Sequence, residues 1–256
     1  MSASFVRRGI ASLAAALVFV PAIALAQALP AAKDLVAKHV AAIGGRDAVL
    51  RHPFFRAKGT FAMPAAGMTG ELDIAGAKPN LVHMKITIPG AGEILQGYDG
   101  KHGWAMDPFQ GPRLIDGEEL AQMMNEAEFG SVLRESANIA SMETTEKVTL
   151  GAEECYKVKI TWKSGREAFD CYSVSSGLLI GNFAKQESPM GSIDAVTEFA
   201  DYMDFAGLKQ PTKITLSVMN QQQVMTFTSY EFGAAQPAAF TPPAAIATLI
   251  TQKPAN

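Results

Sequence analysis

Apolar and polar positions alternate with a period of two over most of this 256-residue chain, the spacing of strands that bury one face and wet the other. In Leu81 to Ile88 the apolar Val82, Met84, Ile86 and Ile88 interleave with His83, Lys85 and Thr87. Phe54 to Ala62, Thr69 to Gly76, Glu93 to Tyr98 and His102 to Met106 follow the same rule. Between them stand Pro64, Gly67, Lys78-Pro79-Asn80, Pro89-Gly90 and the hairpin signal Asp99-Gly100. Beyond Glu146 the period resumes in Lys147 to Leu150, Cys155 to Trp162, Arg166 to Val174, Leu178 to Lys185, Ile193 to Tyr202, Thr212 to Asn220 and Val224 to Phe232. About eleven strands joined by short turns predict an antiparallel, meander-like sheet.

Helical spacing occurs in a few places. Ala31 to Ile43 carries Leu35, Val36, Val40 and Ile43 on one side and stops at Gly44-Gly45. Asp116 stands three residues before Glu119 as in a capping box, and Leu120, Met123, Met124 and Ala127 recur behind it. Val132 to Ala140 predicts a second mid-chain helix. Residues Ala234 to Asn256, rich in Ala and Pro, predict a short helix and a strap over the sheet.

The first 28 residues break the pattern. Arg7 and Arg8 precede an apolar run from Ile10 to Leu25 that ends in Ala24-Leu25-Ala26 and Ala26-Gln27-Ala28, the form of a cleaved secretory leader. Pro21 interrupts a run already short for a permanent membrane helix, which needs about 20 apolar residues. The expected organisation is therefore a leader over 1–28 and one domain over 29–256, periplasmic and soluble after cleavage, with only transient membrane contact. The first cysteine is Cys155, so no amino-terminal lipidation site is expected. The 22 Lys and Arg against 25 Asp and Glu exclude a nucleic-acid binder, which would need a basic surface.

An oxidising compartment favours a bond between Cys155 and Cys171. A two-residue Ser164-Gly165 loop would instead pair Ile160 with Phe169 and Val158 with Cys171, which sets the cysteines on opposite faces. A bond requires a bulge or a three-residue loop, and the two would then sit diagonally. Both outcomes stay open.

Chemistry-bearing motifs are sparse. His39, His52, His83 and His102 show no metal-ligand spacing, and no nucleophile elbow, P-loop or dinucleotide fingerprint is present. Asp99 and Asp107 near Trp104 could form a carboxylate pair, but acidic turn residues ordinarily satisfy local backbone donors. Trp104 and Trp162 are core anchors or ligand-stacking platforms. Twelve methionines, Met84, Met106, Met123, Met124, Met203, Met219 and Met225 among them, suit either an adaptable apolar cavity or an ordinary core. No enzyme activity and no cofactor are expected.

The stretch Pro89-Gly90-Ala91-Gly92-Glu93 through Gly97-Tyr98-Asp99-Gly100-Lys101, with Trp104 and then Asp107-Pro108-Phe109-Gln110-Gly111-Pro112-Arg113, resembles LolA-like, outer-membrane lipoprotein-sorting-type proteins. So do Lys163-Ser164-Gly165-Arg166, Ser176-Gly177-Leu178-Leu179 and Asp201-Tyr202 followed by Gly207 to Ile214. The resemblance implies a mainly β fold with covering helices: a curved antiparallel half-open β-barrel of about eleven strands, with an apolar interior for acyl chains. In that picture Val82, Met84, Ile86 and Ile88 line the concave face with Trp104 and Met106, and Leu120, Met123 and Met124 form a lid that packs inside when no cargo is bound. Arg56 and Arg113 are the candidates for the lid-holding arginine. The implied partners are a lipid or lipidated protein and proteins of the envelope. The alternative is a non-catalytic envelope domain whose concave face is filled by its own side chains.

Export predicts a mature protein beginning at Gln27 or Leu29, which intact-mass measurement of periplasmic material reads directly; a chain retaining Met1 would overturn the leader.

Overall fold

The structure, a computed structural model, describes residues 28–189, 191–234 and 236–252. The expected leader lies outside the described residues except for Ala28, as does the polar end after Gln252. The chain opens with helices α1 (Ala32–Ala42) and α2 (Arg46–Arg51). Six strands follow: β1 (Phe54–Met63), β2 (Met68–Ala77), β3 (Leu81–Ile88), β4 (Gly92–Tyr98), β5 (Gly103–Asp107) and β6 (Gly111–Ile115). Helix α3 (Gly117–Ala127) then leads to β7 (Ile139–Leu150), β8 (Glu153–Trp162), β9 (Glu167–Ser173), β10 (Leu179–Ser188), β11 (Gly191–Phe205), β12 (Leu208–Val218) and β13 (Gln221–Gly233). A carboxy-terminal helix, α4 (Ala244–Gln252), ends the described chain.

All thirteen strands described join one antiparallel sheet in the order β6-β5-β4-β3-β2-β1-β13-β12-β11-β10-β9-β8-β7. The sheet curves without closing and leaves β6 and β7 as its edges. Every neighbour is a sequential hairpin except β1 with β13, which pairs the two ends of the chain and is pinned by Phe61 opposite Met225. The segments read from the sequence omit β6, whose Gly111 and Pro112 imitate a loop; a proline is tolerated there because β6 is an edge. The helix expected over Val132 to Ala140 is not formed. Gly130 and Arg134 both adopt left-handed backbone, leaving a single 3-10 turn at Ser131–Leu133. Strand β7 then begins at Ile139, and register shifts near Ala140 and Thr145 hide its alternation.

The β8–β9 hairpin corrects a second expectation. Trp162 N–H donates to Arg166 O and Gly165 N–H to Trp162 O, so the loop is Lys163-Ser164-Gly165, three residues long. Gly165 takes φ +87° at its end, the position such loops reserve for glycine. Relative to a two-residue loop the register moves by one: Val158 faces Asp170, Ile160 faces Ala168, Lys157 faces Cys171 and Cys155 faces Ser173. Cys155 and Cys171 thereby share a face diagonally, 5.5 Å apart between Cα atoms, and are bonded.

Strand parity divides the side chains between a concave and an outer face. On the concave face α1 packs Ala32, Leu35 and Val36 against Val158, Ile160, Trp162, Ala168 and Tyr172, closing the β8–β9 half. A buried polar network stitches that half to the segment after α3. Arg134 Nε donates to Asp170 Oδ2 at 2.8 Å, and Tyr172 Oη donates to the same oxygen at 2.9 Å. Asn182 Nδ2 donates to Asp170 Oδ1 at 2.8 Å. Asp170 is 0% exposed, so these donors replace its water. His39 of α1 lies beside Tyr172 and accepts the Leu179 amide N–H through Nδ1 at 3.0 Å. The outer face of the β6 half is covered instead by α4, whose Ile246, Leu249 and Ile250 pack on Leu95, Trp104, Met106 and Leu114.

Burial pushes the His39 imidazole down to about 4; the Asp170 carboxylate opposes this shift and the Arg134 guanidinium reinforces it. An unfolded imidazole near 6.5 takes its proton first, so protonation favours the unfolded chain. The associated stability is complete above about pH 6.5 and is lost as pH falls towards about 4, amounting to roughly 3 kcal/mol. Urea unfolding of wild type and His39→Gln at both pH values should show a smaller acid loss in the variant; parallel losses would overturn this assignment.

Candidate functional site

The concave face not occupied by α1 belongs to β1–β5 and β13, and α3 crosses it. At one end Ala57, Phe61, Leu72, Ile86, Ile88 and Phe227 pack solidly. Towards the other end two cavities remain. One, of about 240 Å³, lies among Val49, Phe55, Phe129, Leu208, Tyr230 and Phe232. The second, of about 190 Å³, lies under α3 among Ile74, Met84, Gln96, Glu119, Met123 and Gln186. Val82, Glu126 and Ala127 line both, so the last turn of α3 is the wall between them.

Three contacts position α3. Met123 and Ala127 are buried with Tyr98 and Ile115, and Leu120 packs against that cluster. The approach depends on Gly103, where an added Cβ would stand 2.8 Å from Leu120 Cδ1 and 3.1 Å from Met123 Sδ. Arg113 of β6 holds the first turn, donating to both oxygens of Glu119 at 2.8 and 2.6 Å. Glu119 is therefore turned towards β6 and away from the capping box expected with Asp116. On the far side Gln122, 4% exposed, reaches β10. Its Nε2 donates to Glu126 Oε1 at 2.7 Å and to Gln186 Oε1 at 3.3 Å, and its Oε1 accepts the Glu187 N–H at 2.9 Å. The helix thus spans the gap between two walls of the open sheet.

The expected lining residues divide accordingly. Val82, Met84 and Met123 line the cavities, and Leu120 sits in the contact that seats α3. Ile86 and Ile88 share the concave face but are packed in its solid end. Trp104 and Met106 are corrections: Trp104 faces Gly97 across the strand pair and lies on the outer face, 0% exposed beneath α4, with Met106 beside it. Met124 is another, being 41% exposed: α3 is rolled to aim Gln122 and Glu126 inward, and Met124 turns to solvent. Arg56 pairs with Asp73 on the outer face at 2.8 and 2.5 Å, so Arg113 is the arginine that touches α3. Asp99 accepts the Lys101 and His102 N–H groups and Asp107 those of Phe109 and Gln110. Neither aspartate lines a cavity. The aromatic wall from Phe55, Tyr230 and Phe232 went unread in the sequence because it arises where the chain ends meet.

Glu126 reaches solvent through the cavities yet is flanked by protein. Desolvation raises its carboxyl above the ordinary range, opposed by the Gln122 amide and the Arg166 charge. Among the described residues no helix is long and apolar enough to cross a membrane.

No family model and no curated protein matches this sequence. Solved structures do. A LolA superfamily protein from Nitrosomonas europaea is 13% identical, with TM-score 0.54 over 84% of this chain and 99% of its own. A DUF1329 family protein from Desulfovibrio piger is 12% identical, with TM-score 0.55 over 84% and 97%. The fold is therefore LolA-like: one curved, unclosed antiparallel sheet with helices on its concave side. At such identities the likeness extends to the fold alone.

Gln122→Ala should loosen α3 by about 1–3 kcal/mol, since it strands the Glu187 N–H. Hydrogen exchange should then quicken in α3 while the protection of β8 and β9 is unchanged; equal exchange in α3 would overturn the bridging role.

Proposed function

We propose that the chain is exported, loses residues 1–28, and acts as one periplasmic domain that sequesters a lipid, or the acyl chains of a lipoprotein, without covalent chemistry. The observation that carries this reading is the pair of cavities on a continuous apolar face with only the last turn of α3 between them. Each is smaller than the roughly 300–1,000 Å³ of a typical small-molecule site, and withdrawal of that turn would join them into that range. The same turn is held by one amide side chain and a thin apolar contact, so an entering chain can replace Met123, Ala127 and Leu120 at small net cost. Val82, Met84 and Met123 are the proposed contact residues. Cargo would pass between membrane surfaces and envelope proteins by transient contact.

A second reading has its own observation: α1 fills the β8–β9 half permanently, as a domain with a self-filled concave face would do throughout. Lipid extraction and mass spectrometry of protein purified from its native periplasm separates the two. Stoichiometric co-purified lipid, and displacement of an apolar dye by it, support the carrier; a clean extract with no dye binding supports the self-filled domain. Met123→Asp should weaken dye binding about tenfold or more, roughly 1.4 kcal/mol, with the sheet still folded.

A further inference from the structure

The cavities carry a charge pattern that an acyl site does not require. Their lining includes Glu119, Glu126 and Glu128, and neither Lys nor Arg among the described residues. Glu119 is neutralised by Arg113. Glu126 is not so paired: the Arg166 charge acts on it without a hydrogen bond, Gln122 supplies one hydrogen bond to Oε1, and no described residue donates to Oε2. The surrounding polar side chains Gln96, Gln186 and Gln210 offer amides, which serve as donor or acceptor. Glu126 is solvent-accessible while the cavities are empty, but a seated chain would displace that water, and an acceptor-only carboxylate with an open oxygen then calls for a donor and repels a second negative charge.

Resting on the carrier reading, we infer that the cargo is a lipid whose polar end is an uncharged hydrogen-bond donor, a hydroxyl or an amide, and that Glu126 on the wall between the cavities receives that donor. Free fatty acids and phosphate-headed lipids are the ligands this site rejects.

Competition against a bound apolar dye, with hexadecanol, hexadecanoate and methyl hexadecanoate as probes, isolates head group from chain. At about pH 8, where Glu126 is driven towards its ionised form, the alcohol should bind about tenfold or more tighter than the carboxylate. It should also bind tighter than the ester, which only accepts hydrogen bonds. Glu126→Gln keeps an acceptor for Gln122 and removes the charge, so the alcohol-to-carboxylate ratio should fall to within about threefold, with an unchanged melting temperature. Should that variant fail to fold, Glu126→Ala tests the same ratio. A carboxylate that binds as well as the alcohol in wild type, or a ratio unaltered by both substitutions, overturns the inference and leaves the carrier reading standing. Failure of all three probes to displace dye overturns both.

Discussion

A thirteen-stranded antiparallel sheet that curves without closing leaves one large apolar face turned inward, and water must be kept off that face for the sheet to be stable. The described residues form no second sheet, so the cover comes from helices laid across the concavity. The two halves solve this differently. Over β8 and β9 the cover is α1, bonded into the sheet through His39, beside the Arg134–Asp170 pair that ties the segment after α3 to β9. Removing one partner from such a buried ion pair leaves an uncompensated charge and costs about 3–5 kcal/mol, which fixes the segment after α3 to β9.

Over β1–β5 the cover is α3, and its attachment is of a different grade. Its apolar contact is a short row against Tyr98 and Ile115, made close by the missing side chain of Gly103. Its polar contacts are a partly exposed Arg113–Glu119 pair at one end and the Gln122 amide at the other. Neutral hydrogen bonds contribute about 0.5–1.5 kcal/mol each, and partly exposed ion pairs about 0–1 kcal/mol. The sheet thus carries two covers of different kinds, and the two cavities of the β1–β5 half lie beside α3.

Most of this was legible where the signal is local. Strand β3 has the bounds its alternation predicts, and α1 stops at Gly44-Gly45 because both glycines adopt positive φ and the Gly45 N–H closes onto Val40 O. Parity within a strand also follows from the pattern, but which face is concave does not. That choice rests on where distant segments pack: Trp104 belongs to α4, some 140 residues downstream, and only that docking decides that it faces outward. The cysteines make the same point on a smaller scale, since a loop longer by one residue than Ser164-Gly165 shifts every side chain of β9 relative to β8. The pairing of β1 with β13 lies furthest from local reading, because its residues are separated by most of the chain.

The polarity of the cavity wall follows from the geometry of α3 itself. A helix that must touch β5 and β6 on one side and β10 on the other presents three faces, and the one between its two contacts looks into the barrel. Apolar residues there would hold the helix down more firmly but would leave the Glu187 N–H of β10 without its acceptor. Gln122 supplies that acceptor, and one turn later, at a spacing of four, Glu126 stands on the same face with an oxygen still open. The residue that best secures the cover thus brings a polar neighbour to the cavity wall, where an open acceptor is satisfied either by water or by whatever else enters.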